Sequence, residues 1–247
     1  MTHRHLIISL EAPLLSFGGV VIDNFGFTRD FPSRSMLTGL FANALGWSRT
    51  QQDEHQNLQD RIIFAARIER ESHIGPLRDV QNAHIGKNDK GWTTRGRPEG
   101  RAGDSYGGPH RRFRDYHPDA LLIIALRLEP AEQNPVLDDL AHAFDFPARP
   151  LFFGRKPCLP SAPLIDRTHA CFIEASTAGE ALSLIPRRER GSHELRAIWP
   201  WGEAPSNAGK ADRSTDICDE RNWRSGLHGG SRKIVEGRIL PQEEDRS

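Results

Sequence analysis

Residues 86–117 carry most of the groups from which chemistry could be built. Eight cations (Lys87, Lys90, Arg95, Arg97, Arg101, Arg111, Arg112 and Arg114) stand against four acids (Asp89, Glu99, Asp104 and Asp115). Trp92, Tyr106, Phe113 and Tyr116 are interleaved with them. Cations neutralise phosphates and rings stack on bases, and single-stranded nucleic acid requires both. Each stacked base contributes about 1–3 kcal/mol. The bland reading of the same composition is a solvated loop whose basic residues do nothing in particular. Within this stretch, Tyr116-His117 beside Arg114 is the one cluster that could attack RNA, His acting as acid or base and the cation stabilising a phosphorane.

Two other segments have the residue types of an anion site. FPSRS (31–35) opens a helix, so backbone N–H groups, a serine hydroxyl and Arg34 could meet a phosphate there. The plain alternative is an ordinary cap with an exposed arginine. In FFGRKPC (152–158), Gly154 permits close backbone approach while Arg155 and Lys156 add charge. Cys158 has no implied base nearby. HExxH, GxSxG and GxxxxGK[ST] do not occur, which removes the main support for zinc-peptidase, hydrolase-elbow and P-loop chemistry. The 11 histidines are scattered without metal-ligand pairing, so no metal and no cofactor are expected.

The elements that must position these groups follow from hydrophobic periodicity. HLIISL (5–10) reads as a buried strand followed by an irregular segment, EAPLLSFGG. Met36, Leu37, Leu40, Phe41, Ala44 and Leu45 form one wide stripe at helical period, so the spacing predicts a helix over 33–45, with Ser33 or Ser35 capping and Gly46 at its end. After a polar stretch, RIIFAARI (61–68) reads as a strand. A long interruption over 70–118 precedes a third strand, ALLIIALRL (120–128). PVLDDLAHAF (135–144) reads as a second helix and HACFIEA (169–175) as a fourth strand. EALSLI (180–185) reads as a short helix and ELRAIW (194–199) as a strand, while 200–232 reads as more loop than core. This strand-helix-strand-strand-helix-strand order predicts an α+β fold of ferredoxin-like, RNA-recognition-like type. Residues 1–175 would form that domain and 176–247 a smaller β-rich part.

Composition bounds the rest. The chain has 247 residues, 37% hydrophobic and 27% charged, with 22 Gly and 17 Pro, which suits one large domain or two small ones with long connections. Its 33 basic and 33 acidic residues cancel, excluding a bulk electrostatic grip on nucleic acid and leaving local patches. Cys158, Cys171 and Cys218 form neither a disulfide framework nor a CxxC pair. A reducing cytoplasm, with no membrane contact, is the expectation.

Four blocks together resemble a known family, the CasD-type subunit of the CRISPR-associated type I-E surveillance complex, Cascade. They are LIISLEAPLLSFG (6–18), FPSRSMLTGLFANALGW (31–47), RRFRDYHPDALLIIAL (111–126) and RPLFFGRKPCLPSAPL (149–164). RNWRSGLHGGSRKI (221–234) falls where that family has a basic C-terminal segment. Phe17 departs from the tryptophan common in the opening loop. The resemblance implies a ferredoxin-like domain with an extended hairpin, the thumb, at about 70–118. It also implies a non-catalytic role in antiviral defence, capping the 5′ handle of the CRISPR RNA. The partners it implies are a backbone subunit met by the thumb, a large subunit met by the body, and target DNA through the assembled complex. By the same resemblance Arg34, Ser35, Arg114, Gly154, Arg155 and Lys156 would hold the handle, with Arg111, Arg112 and Tyr116 as neighbours. A sister branch cleaves precursor CRISPR RNA without metal through Tyr, Lys and His, so a metal-independent endoribonuclease is the alternative. Tyr116 and His117 are present here, but no Lys stands beside them.

Overall fold

The computed structural model describes residues 1–19, 21–84, 91–92, 98–99, 109–168, 171–189, 193–206 and 211–242, with 91–92 and 98–99 described by backbone alone. Its centre is β8 (His110–Leu128), hydrogen-bonded antiparallel to β1 (His3–Leu15) on one side and β4 (Ile62–Arg70) on the other. β9 (Phe172–Ala175) extends the sheet beyond β1. Beyond β4 lie β10 (Leu195–Pro200), β12 (Arg232–Ile239) and β11 (Arg213–Ile217), giving the order β11-β12-β10-β4-β8-β1-β9. The sheet therefore runs across residue 176 without a break, because Ala197 pairs with Arg67.

The central strands are apolar at consecutive positions because both of their faces are covered. Leu6, Ile8 and Leu10 of β1 and Leu122, Ile124 and Leu126 of β8 face α1 (Arg34–Ala44), α2 (Gln52–Arg61) and α3 (Leu137–Asp145). Ile7, Leu121, Ile123 and Ala125 face the other way, against α4 (Ala178–Leu184) and Trp199. Each fully buried leucine or isoleucine contributes about 1.5–3 kcal/mol. The second sheet face is thus filled by α4 and does not offer an open binding platform.

α1 begins where its stripe predicts. The Ser33 hydroxyl accepts from the Met36 N–H at 3.0 Å, a cap worth about 1 kcal/mol, and Phe41 stacks on Phe144 with centroids 4.7 Å apart. Three expectations are corrected. The segment after residue 10 is not irregular, since β1 continues to Leu15. The polar stretch before β4 is a helix, α2, whose buried face holds His55, Gln59 and Arg61 beside Leu58. Finally, β8 starts ten residues before the apolar run that marks it.

That early part of β8 builds the base of the inserted hairpin. β5 (Leu77–Ala83) pairs with it antiparallel, from Leu77 opposite Tyr116 to Ala83 opposite His110. β2 (Val21–Ile22) and β3 (Phe25–Gly26) complete a small lateral sheet, with Gly26 beside Arg114. β6 (Gly91–Trp92) and β7 (Pro98–Glu99) pair with each other. Lys87, Lys90, Arg95, Arg97, Arg101, Asp89, Asp104 and Tyr106, which figure in the cation-and-ring reading, lie outside the described residues.

Arg67 and Glu69 form an ion pair with no solvent exposure on either side chain. The arginine also donates to the carbonyls of Ile185 and Pro186 at 2.9 Å, fastening the end of α4 to β4. Glu69→Ala strands this buried cation and should lower stability by about 3–5 kcal/mol. The joint replacement Arg67→Met with Glu69→Leu should recover most of that loss in denaturant unfolding.

Candidate nucleic-acid interface

Three of the cations named from sequence, Arg34, Arg114 and Arg155, are held by the protein itself. Arg155 sits on the tight turn after β8 and α3. Its guanidinium donates to the carbonyls of Asp115 and Gly26, both at 3.0 Å, and lies 4.8 Å above the Tyr116 ring. Arg114 donates to the carbonyls of Phe113 (3.0 Å) and Asn24 (3.4 Å). Gly26 leaves the space: a Cβ there would meet Arg114 at 2.8 Å and Arg155 at 3.1 Å. Gly154 serves packing too, with φ +77° and a would-be Cβ only 1.9 Å from the Ser16 carbonyl oxygen. Lys156, Arg111 and Arg112 are exposed.

The helix mouth is corrected most. The anion at the start of α1 is not left for a ligand, because Asp219 occupies the place. Its carboxylate accepts from the Arg34 N–H at 3.0 Å and its carbonyl from the Ser35 N–H at 3.1 Å. Arg34 itself pairs with Glu220 at 2.5 Å, and burial with Arg232 nearby pulls its guanidinium below the usual range against the pull of Glu220.

Tyr116 and His117 also differ from the cluster imagined on the sequence. Neighbours on a strand point to opposite faces. Tyr116 is buried beneath Arg155, while His117 Nε2 donates to the Arg29 carbonyl at 2.7 Å and its ring leans on Phe17. Cys158 is buried, and that burial pushes its thiol above the usual range, away from thiolate chemistry. Among the described residues no cluster of His, Cys, Asp and Glu could hold a metal ion.

The structure instead brings together a cleft of about 750 Å³ between α1, the glycine turn at 152–155 and the loop at 221–228. Among the described residues its lining holds five arginines, Arg49, Arg149, Arg155, Arg221 and Arg224, and no carboxylate. Phe17, Trp47, Phe152 and Trp223 supply rings along it. Of the residues expected from sequence, Ser35, Gly154 and Arg155 share this lining; Arg34, Lys156, Tyr116, Arg111, Arg112 and Arg114 do not. Arg49, Arg149, Arg221, Trp223 and Arg224 escape a sequence reading. Arg149 opens the 149–164 block and Arg221, Trp223 and Arg224 lie in the 221–234 segment of the resemblance, but none was expected as a site residue, and Arg49 follows a helix with no pattern of its own. Arg149 donates to the Trp47 and Gly46 carbonyls at 2.8 and 2.9 Å, closing the end of α1.

A mixed α+β chain of this topology has solved relatives. It matches one described as "CRISPR RNA-guided surveillance complex" over 98% of its length and 95% of that chain, with TM-score 0.65 and 20% identity. Another, described as "Crystal structure of Cas protein", matches over 97% and 98% with TM-score 0.62 and 20% identity. The CRISPR system Cascade subunit CasD of Escherichia coli (strain K12) is 28% identical over 166 residues, 65% of this chain and 69% of that protein. The family model for CRISPR-associated protein (Cas_Cas5) matches residues 5–235. The chain belongs to that family.

Two outcomes test this geometry. Gly154→Ala should cost about 1–3 kcal/mol from its backbone conformation alone, and more through the Ser16 contact. Gly75→Ala shares the positive φ but has open space around it, so the difference between the two in denaturant unfolding isolates the clash. At the hairpin base, Arg78 hydrogen-bonds Asp115 at 2.7 Å and holds its carboxyl below the usual range, with burial opposing. A lowered carboxyl stabilises the fold above about pH 4 and loses that contribution as pH falls through its folded value. Asp115→Asn should therefore be less stable than the parent at neutral pH, and the gap should close near ~pH 2.

Proposed function

We propose that this protein is a non-catalytic RNA-binding subunit of a Cascade-type CRISPR surveillance complex, capping the 5′ handle of the CRISPR RNA. One observation carries the reading: an arginine-lined, carboxylate-free cleft edged with aromatic rings. Such a cleft suits a single strand, with phosphates on guanidinium groups and bases on rings. It also explains how a chain of zero net charge can grip a polyanion, because the charge is sorted rather than summed. Membership of the family and the likeness to a Cascade subunit support it.

In this proposal Ser35, Gly154 and Arg155 form the cleft wall and Lys156 adds charge at its rim. Arg111, Arg112 and Arg114, with Tyr116 behind Arg155, continue the basic surface onto the hairpin, and Arg34 acts by keeping the helix mouth closed on Asp219 and Glu220. The small sheet at the hairpin base exposes apolar side chains suited to the backbone subunit: Val21, Ile22, Leu77 and Val80 are exposed, Val80 is paired with Phe113, and the Phe113 ring stacks on Phe25. The body would meet the large subunit, and target DNA would be read by guide pairing rather than by this chain. No cofactor is needed, and the reducing cytoplasm suits its three free cysteines. The endoribonuclease alternative is weakened by the burial of Tyr116 and by the engaged Nε2 of His117.

The test uses purified protein and end-labelled precursor CRISPR RNA carrying the repeat of its own array, without divalent metal. A native gel should show binding and a denaturing gel an intact strand; a cut at the 5′ edge of the handle would overturn the non-catalytic reading. Arg49→Ala with Lys156→Ala should weaken binding about tenfold or more, with a shallower salt dependence.

A further inference from the structure

Two glutamines of α2, Gln56 and Gln59, are spent on a single task. Gln59, only 1% exposed, has both its amide oxygen and its amide nitrogen engaged by the loop at 221–223. Its Nε2 donates to the Arg221 carbonyl at 2.9 Å; its Oε1 accepts from the Arg221 N–H at 3.1 Å and from the Trp223 indole N–H at 3.0 Å. Gln56 Oε1 accepts from the Trp223 backbone N–H at 3.0 Å. A side chain here imitates a strand partner, fixing the backbone of residue 221 and the plane of the next ring but one.

Rings continue the support. Trp47 meets His55 edge-on at 5.5 Å, His55 lies 4.7 Å from Trp223, and the Arg221 guanidinium carbon sits 5.1 Å above the Trp223 ring. The guanidinium at the end of this pile differs from its neighbours. Arg149 and Arg155 are spent on carbonyls and Arg224 on Asp53, whereas Arg221 lines the cleft with no ion pair or side-chain hydrogen bond among the described residues. Its Nε is buried and unpartnered. Its two terminal nitrogens are not among the buried atoms and make no hydrogen bond among the described residues, so they are the donors that an oxyanion in the cleft would meet.

We propose that Arg221 is a phosphodiester-binding residue of the cleft and that Gln59 is its positioning residue. This rests on the reading of the cleft as a site for single-stranded RNA. The chemistry is a guanidinium fork on a phosphate, its plane set by Trp223 and its backbone by the glutamine amide.

The experiment measures binding of a labelled oligouridylate to the full-length protein across a salt series, with thermal unfolding of each variant alongside. Arg221→Ala should bind about tenfold more weakly, with the slope of log affinity against log salt smaller by about 0.7. Arg221→Lys should keep the slope, because it keeps the charge. Gln59→Leu should reproduce the Arg221→Ala loss, and the double variant should bind no more weakly than Arg221→Ala alone, since the glutamine acts through the arginine. If Gln59→Leu does not fold, Gln59→Asn, which keeps a neutral amide but draws it back from residue 221 by one methylene, is read in the same way. Parental affinity and slope in Arg221→Ala, while Arg49→Ala weakens binding, would overturn this inference and leave the RNA-binding reading standing. Additive losses for Gln59 and Arg221 would remove the positioning role. No binding by the parent protein would overturn the reading of the cleft and this inference with it.

Discussion

Asp219 lies 185 residues from Arg34 in sequence, yet its carboxylate accepts the Arg34 N–H at 3.0 Å at the mouth of α1. The same carboxylate takes two donors from Arg232, at 3.0 Å from Nε and 2.8 Å from Nη2, and Arg232 in turn lies over the Phe64 ring at 4.7 Å. A carboxylate this deeply buried survives only with such a set of donors and the positive end of a helix. The arrangement joins the first helix, the last strand and the segment leading into 221–228. That junction is one of two that fix the C-terminal loop and with it one wall of the cleft.

α2 completes the second attachment of that loop. Its buried residues are mostly polar, an arrangement tolerated because each finds partners. Gln59 holds Arg221 and Trp223, and Arg61 reaches the Pro130 and Asn134 carbonyls. The N-terminal helices therefore serve two roles at once. Their apolar sides pack on the sheet, and their polar sides grip the distant basic loop.

The cations divide by what they touch. Those clamped to carbonyls or acids, such as Arg114, Arg149 and Arg155, hold the lateral sheet, the end of α1 and the glycine turn together. Those without such ties, such as Arg49, Lys156 and Arg221, are the groups left for a ligand. In a chain of zero net charge the acids are drawn elsewhere, Asp219 and Glu220 into the helix mouth and Asp115 onto Arg78, and the cleft is left basic.

Periodicity and apolar runs were enough, from sequence alone, for α1, β4, the second half of β8 and α3, because burying those side chains is the dominant local term and leaves a direct imprint on spacing. The blocks around FPSRS and FFGRKPC likewise pointed to the family. α2 was not legible because its buried face is polar, and β5 and the first part of β8 because a lateral sheet with an exposed face needs no apolar run. The site was legible only in kind. The cation-and-ring composition lies in 86–117, no described residue of which lines the cleft, and which arginines are free depends on where carbonyls and carboxylates from remote segments fall. Only the tertiary structure decided that Asp219 fills the helix mouth, that Tyr116 lies beneath Arg155, and that residues near 49, 149 and 221 share one cleft. Hydrogen bonds and ion pairs form between groups that folding brings together, and spacing along the chain carries no trace of them.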